Sequence, residues 1–322
     1  MIIAKKKNST GYSVPQFLNK VANEKFRPEI PDDVPQCYRE LIESCWSQDP
    51  SDRPSFNEIV ELLRNDERFI TENVDEDKYR SYIRYIDDCV NKETEVSKET
   101  FGTYSLKLIE ASKKKGIINP QDFEMKETIE ENEETEISSI TNKNTKETFL
   151  AFISKKDYNF SPSSEEEKEI CKEIKKNVKM KFSTVQRMIG YSFYDFKYQT
   201  KPLIIFQYNS RNTLNDIIKR HKRGEYNYEI DNTNKLKIIL GISSGIFYFH
   251  EHNIYLQYLN PKNIYIDDTF HPTICYFDFN KLKIKNAIQG SIYTAPEIIN
   301  GEKYSKSSDV YSFGKIVYFI MT

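Results

Sequence analysis

The sequence predicts an α+β fold, and three features carry that expectation. Strand-like apolar runs at 149–154 and 203–208 precede long helical patterns in the second half of the chain. One of those patterns, 236–250, is apolar on nearly every side, as a helix at the centre of a core is. Strands first, then helices around one central helix, is the ordering of an α+β domain. A separate helical block comes earlier. The chain therefore divides into that block, 9–70, a helical tail, 71–104, an acidic flexible linker, 105–146, and a globular part, 147–322.

Each element has a local reason. Pro35 opens a helix in which Cys37, Leu41 and Cys45, with Tyr38 and Ile42, recur at four-residue spacing. Ser55-Phe56-Asn57-Glu58 is a capping box, and Phe56, Ile59, Val60 and Leu63 form the apolar stripe of the helix it starts. Tyr79, Tyr82, Ile83 and Ile86 mark a further helix at 76–90. From Phe123 to Ile137 there are seven Glu against one Lys and little apolar content, the composition of a solvated linker. After the strand at 149–154, Ser163-Ser164-Glu165-Glu166-Glu167 caps a helix through Ile170, Cys171 and Ile174. Residues 264–266 and 274–277 flank Asp267-Asp268-Thr269-Phe270-His271-Pro272, a hairpin signal, and 308–321 is an apolar helix.

Composition narrows the function classes. Lys plus Arg number 47 and Asp plus Glu 49 in 322 residues, a net charge of −2, without the basic excess of a nucleic-acid binder. No apolar run reaches the ~18 residues of a membrane helix, and Met1-Ile2-Ile3-Ala4 is too short for a secretory signal. The five Cys show no CxxC spacing, so reduced core thiols in a cytoplasmic protein are expected, Cys171 and Cys275 among them. The four His include no HExxH.

Two segments carry a family resemblance. Ala295-Pro296-Glu297, then Tyr304-Ser305 and Ser308-Asp309-Val310-Tyr311-Ser312-Phe313-Gly314, resemble the APE motif and helix F of protein kinases. Cys45-Trp46, Asp49-Pro50 and Arg53-Pro54-Ser55-Phe56 resemble the end of a kinase large lobe, in the form typical of tyrosine kinases and the tyrosine-kinase-like group. With Phe249-His250 and Leu259-Asn260-Pro261-Lys262-Asn263, the resemblance covers roughly 10–70 and 147–322. It implies a bilobal kinase-like fold, and it implies a buried ion pair between Arg53 and Glu297, with Asp309 as a third structural residue.

The chemistry of the family is phosphoryl transfer, which rests on positioning and charge neutralisation. Here its residue types are largely replaced. No Gly occurs between Gly116 and Gly190, so the phosphate-covering Gly-rich loop is absent. Phe152 stands at the strand-Lys position, and Glu173 at the position of that lysine's carboxylate partner. The HRD positions hold Leu256, Gln257 and Tyr258, and Asn260 takes the following Lys position. A phenol with a pKa near ~10 is no substitute for a carboxylate base at neutral pH. Asn263 and Asp278 alone match the family's metal ligands, and two oxygens without phosphate-binding partners make a poor Mg²⁺ site. Phe206 falls at the gatekeeper position and 207–209 at the hinge, so aromatic rings are expected to fill part of the nucleotide pocket. Ser291, Tyr293 and Thr294 are hydroxyls in the short stretch before Ala295.

The order is reversed: 147–322 resembles a small lobe and a large lobe through helix F, while 9–70 resembles helices G to I. Three readings follow: circular permutation within one chain, exchange of halves with a second chain, or a section through a tandem array or a gene model joining two incomplete domains. A span of sixty flexible residues reaches roughly 45 Å, enough for the first. Permutation is the expectation, with Arg53 on Glu297 and Met1 near Thr322.

The resemblance thus implies a pseudokinase acting in signalling by protein–protein contact, with no cofactor or only weak ATP and Mg²⁺. Its partners would be other signalling proteins, kinases among them, with no nucleic acid or membrane, and with half-domain exchange as a route to self-association. The alternatives are a serine/threonine kinase using Lys155 or Lys156 on the phosphates and Asp267 or Asp268 as base, and an incomplete tandem-kinase fragment.

Overall fold

In the computed structural model, the acidic stretch read as linker carries two strands. They are β1 (Phe123–Glu131) and β2 (Thr135–Asn142), the first members of an antiparallel five-stranded sheet. β3 (Thr148–Ser154), β4 (Met188–Ser192) and β5 (Leu203–Gln207) complete it in the spatial order β1-β2-β3-β5-β4. The linker expectation fails at these residues for a physical reason. β1 is an edge strand that buries only Phe123 well, so its outer positions carry glutamates freely. β2 is buried largely through small polar groups: Thr135, Ser138, Ser139 and Asn142 are covered together with Ile140. Such a strand has no apolar alternation to read. Its backbone is held by β3, with Ile137 opposite Phe152 and Ser139 opposite Leu150.

The structure describes residues 12–95, 118–131, 135–157, 180–208, 212–225, 230–257, 259–275 and 291–322, with Lys168, Lys172 and Ile174. Met1, Cys171, Glu173, Tyr258 and Asp278 lie outside these residues, as do 96–117 and most of 158–179.

The chain forms two units. The first comprises Met1–Ile86, Asn212–Pro272 and Ala287–Thr322, and the second Asp87–Arg211 and Thr273–Asn286. In the second unit the sheet has two distinct faces. Ala151, Ile153, Leu203 and Ile205 point one way and join Ile118, Phe123 and Ile140 in an apolar cluster. Leu150, Phe152, Ile204 and Phe206 point the other way, as the register of β3 on β5 requires. The N–H of Ile118 donates to the carbonyl of Tyr191, 2.9 Å away, which ties the residues just before β1 to β4.

The first unit is built from two blocks of sequence. The early block supplies α1 (Val14–Asn23), α2 (Gln36–Cys45), α3 (Phe56–Asn65) and the first part of α4 (Glu76–Glu95). The late block supplies α5 (Leu214–Lys222), α6 (Asn232–Glu251), β6 (Ile264–Ile266), α7 (Pro296–Ile299) and α8 (Lys306–Met321). β6 opens the expected hairpin, whose second strand is β7 (Pro272–Ile274). The predicted capping box starts α3: Ser55 Oγ accepts from the Glu58 N–H, and Glu58 accepts from the Ser55 N–H at 2.7 Å. α6 is the central helix, with Leu236, Ile238, Ile239, Leu240, Ile242, Ile246 and Phe249 all fully buried.

The blocks meet closely. At Gly314 on α8 an added Cβ would stand 2.7 Å from Cys45 Cβ on α2, so only glycine allows this helix approach. At Gly241 on α6 a Cβ would meet Pro272 and the Tyr82 hydroxyl of α4 at 2.5 Å. Beside Gly314, Lys315 is 4% exposed. Its Nζ stands 4.9 Å from the Trp46 ring centroid, 5.2 Å from Phe17 and 5.5 Å from Tyr318. Burial, and then the nearby Arg27 charge, lower its pKa to about 7.

Candidate active site

Within the sheet unit, Phe152 is buried on β3 opposite Ile204, and its ring lies 5.1 Å from that of Phe206, edge to face at 72°. Two aromatic rings, expected from sequence at the strand-Lys and gatekeeper positions, thus pack together on one sheet face. An edge-to-face pair adds about 0.5–1.5 kcal/mol beyond its burial. The nearest lysine along the strand, Lys155, is ion-paired with Glu131 of β1. Gln207, first residue of the expected hinge, has both backbone groups engaged: its N–H donates to the Arg187 carbonyl at 2.9 Å, and its carbonyl accepts from the Gln186 side-chain amide. β1 and β2 are joined by 132–134, which read Asn-Glu-Glu.

Within the helical unit, Asp309 is 1% exposed near the start of α8. Its Oδ2 accepts from the Leu256 N–H and from His250 Nε2, both at 2.9 Å, and its Oδ1 from the Gln257 N–H at 3.3 Å. The carboxylate therefore fastens Leu256 and Gln257 in the loop after α6, and Gln257 is held there at φ 57°, a left-handed conformation uncommon for a side-chain-bearing residue. Asn260 at the Lys position accepts from the Lys262 N–H at 2.8 Å, capping a 3₁₀ turn over Pro261–Asn263. Asn263 ends that turn, its N–H donating to the Asn260 carbonyl at 3.0 Å. Asp267 accepts from the Thr269 and His271 N–H groups at 2.8 and 2.9 Å, the work of a turn carboxylate.

Arg53 and Glu297 meet as a bidentate pair, Nη1–Oε1 2.7 Å and Nη2–Oε2 2.9 Å. Arg53 also donates to the carbonyls of Ser47 and Ser307, each at 2.9 Å, so the buried charge is well satisfied. The Ser312 hydroxyl donates to the Tyr293 carbonyl at 2.8 Å, anchoring the stretch before α7. Of the site residues expected from sequence, Arg53 and Glu297 are in contact, while Phe152, Asn260, Asn263 and Asp309 each occupy a defined place in their own unit. Glu173, Tyr258 and Asp278 fall outside the described residues. Among the described residues no three His, Cys, Asp or Glu side chains gather as metal ligands, and no helix is long and apolar enough to cross a membrane. Sequence reading missed the His250–Asp309 contact, the Gln186–Gln207 bond and the caged Lys315. For the last, the signal was a lone lysine inside the apolar run 310–321.

The sequence model of the protein kinase domain matches residues 123–322, and that of the protein tyrosine and serine/threonine kinase family matches 2–63. A mimivirus protein from Acanthamoeba polyphaga mimivirus, named a serine/threonine-protein kinase/receptor, is 33% identical over 125 residues, 37% of this chain and 7% of the relative. The inactive leucine-rich repeat receptor-like protein kinase CORYNE of Arabidopsis thaliana is 29% identical over 124 residues, 37% of this chain and 30% of its own length. The dual specificity protein kinase pyk3 of Dictyostelium discoideum is 26% identical over 313 residues, 94% of this chain and 21% of the relative. That alignment runs through both matched segments in their present order. The chain spans less than a third of the length of each of these relatives.

Proposed function

Because this chain belongs to the protein kinase domain family, we propose that it is a catalytically inactive member, a pseudokinase of the tyrosine-kinase-like group that acts in signalling by protein–protein contact. The observation that carries this reading is the buried Phe152–Phe206 pair at the strand-Lys and gatekeeper positions. A ring there neutralises no phosphate charge. The cap at Asn260 and the engaged backbone of Gln207 point the same way. Its partners in this reading are other signalling proteins, kinases among them, and no nucleic acid or membrane. No cofactor is required, and any binding of ATP and Mg²⁺ is weak. A cytoplasmic setting fits Cys37, Cys45 and Cys89, which are in no disulfide.

In this reading the early block closes the large lobe of the same chain, so that the domain is circularly permuted. The Arg53–Glu297 pair supports it. The collinear relative favours a second arrangement, a section of a tandem array in which the early block closes an upstream domain. Half-domain exchange between two chains would use the same contacts.

The test is thermal denaturation of the purified chain with ATP and Mg²⁺, with ADP, and without metal. A ligand that binds the native state must raise the midpoint by mass action. We expect no rise at millimolar ATP. A metal-dependent rise with transfer of phosphate to a protein substrate would instead establish the serine/threonine kinase reading, which the names of the relatives favour.

A further inference from the structure

Just before β4, residues 184–186 of the sheet unit run parallel to β7, with Val185 opposite Ile274. The backbone between the two segments is spent on that contact. The Gln186 N–H donates to the Ile274 carbonyl at 2.9 Å, and the Ile274 N–H donates to the Thr184 carbonyl at 2.8 Å. Side chains alternate along an extended segment, and the partners of a bridge share a face. Val185 and Ile274 therefore lie on one side, and Thr184, Gln186 and Thr273 share the other.

This second face is buried and polar. Thr184 is 0% exposed, Gln186 4% and Thr273 3%. Yet Thr184 Oγ1, Gln186 Oε1 and Thr273 Oγ1 find no hydrogen-bond partner in the chain. Gln186 cannot turn its amide to remedy this, because its nitrogen already donates to the Gln207 carbonyl. Buried side-chain oxygens without partners are rare in folded proteins, and here three share one face of one bridge. Valine has the shape of threonine and would fill either Thr position without stranding a hydroxyl. Two hydroxyls and an amide oxygen kept together in a core call for an occupant.

We propose that Thr184, Gln186 and Thr273 form the binding site of one buried water molecule. The water donates one proton to Gln186 Oε1, which can only accept, and the other to one threonine Oγ1, and it accepts the hydroxyl proton of the second threonine. Three hydrogen bonds are the usual complement of an internal water. A metal ion fits worse, because the three oxygens are neutral and a charge buried without a counter-charge is far costlier than a water. The water ties β7 to 184–186 and, through the Gln186 amide, to the end of β5, so that three segments distant in sequence share one polar network. The site goes beyond the pseudokinase reading and does not depend on it, since it needs neither nucleotide nor partner.

Urea denaturation of the full chain, of Thr184→Val, of Thr273→Val and of the double variant separates a bridged hydroxyl from a stranded one by sign. Removing a hydroxyl that holds a water costs stability, whereas removing a stranded one is neutral or stabilising. The expected result is an unfolding constant raised about ten-fold by each single variant. The double variant should raise it by clearly less than the product of the two, because both act on the same water. A high-resolution crystal structure of the native chain is the second measurement and needs no variant. It should show one density peak within hydrogen-bond distance of all three oxygens. Valine variants that are as stable as the native chain or more so overturn the proposal, as does a native structure without that peak. A thermal midpoint that shifts when sodium is exchanged for potassium at fixed ionic strength, and does so only while both threonines are present, assigns the site to a monovalent cation and overturns it too.

Discussion

Arg53 and Glu297 form a two-pronged ion pair, with both side chains almost wholly excluded from solvent, across 244 residues of sequence. The pair fastens the early block to α7. Losing one partner leaves the other charge buried and uncompensated, so Arg53→Ala or Glu297→Ala should each lower unfolding stability by about 3–5 kcal/mol. Urea denaturation measures this. The double variant should cost clearly less than the two losses added, since no stranded charge remains.

Phe152 is a core residue of the sheet unit. Phe152→Ala should cost about 3–5 kcal/mol, the usual loss for a buried ring, through both lost burial and the cavity left against Phe206. Phe152→Lys, which writes the family's residue back into β3, should destabilise rather than confer nucleotide binding. A thermal midpoint that falls in the variant and does not move with ATP is the expected pattern.

Lys315 gives the chain a pH dependence. Its folded pKa is about 7, against 10.5 for the free side chain, so between those values the unfolded chain binds the extra proton. Stability therefore rises with pH across that window, by up to about 1.4 kcal/mol per unit, and the full penalty is present below it. Lys315→Met removes the amine while keeping the volume. It should raise stability at pH 7 and flatten the slope between pH 7 and 10, measured as denaturation midpoints on a pH series.

Asp309 holds the loop after α6 through two backbone N–H groups and one imidazole. Asp309→Ala strands two buried donors and one half-buried donor, and a loss of at least about 3 kcal/mol is expected. Hydrogen exchange should accelerate first at the Leu256 and Gln257 amides. An unchanged exchange rate there would mean that the loop is held by its other contacts.

The legible parts of this chain were those written in apolar spacing or capping chemistry. α3 is readable because Ser55 and Glu58 start it and Phe56, Ile59, Val60 and Leu63 line one face, and α6 because its apolar run is long. The Arg53–Glu297 pair was readable only through the family resemblance, since nothing local in either segment names the other. β1 and β2 were not legible. An exposed edge strand has no apolar face to declare, and β2 hides serines, whose burial depends on hydrogen bonds such as Ser138 to Glu136 at 2.7 Å. Lys315 was legible only as a lone lysine in an apolar run, and its cage was not. Its environment is assembled from α1, the end of α2 and its own helix, and no window of sequence contains all three.

The two-block construction of the helical unit also fixes a timetable. Synthesis runs from the amino end, so Arg53 and Trp46 leave the ribosome long before Glu297 and Lys315 exist. At the usual rate of 5–20 residues per second, the 244 residues between Arg53 and Glu297 represent roughly 12–50 s. During that interval the faces of α2 and α3 that pack against α6 and α8 wait for those helices to be made. A nascent chain in this state is a natural client for a chaperone, and slowing elongation should lengthen its exposure in direct proportion.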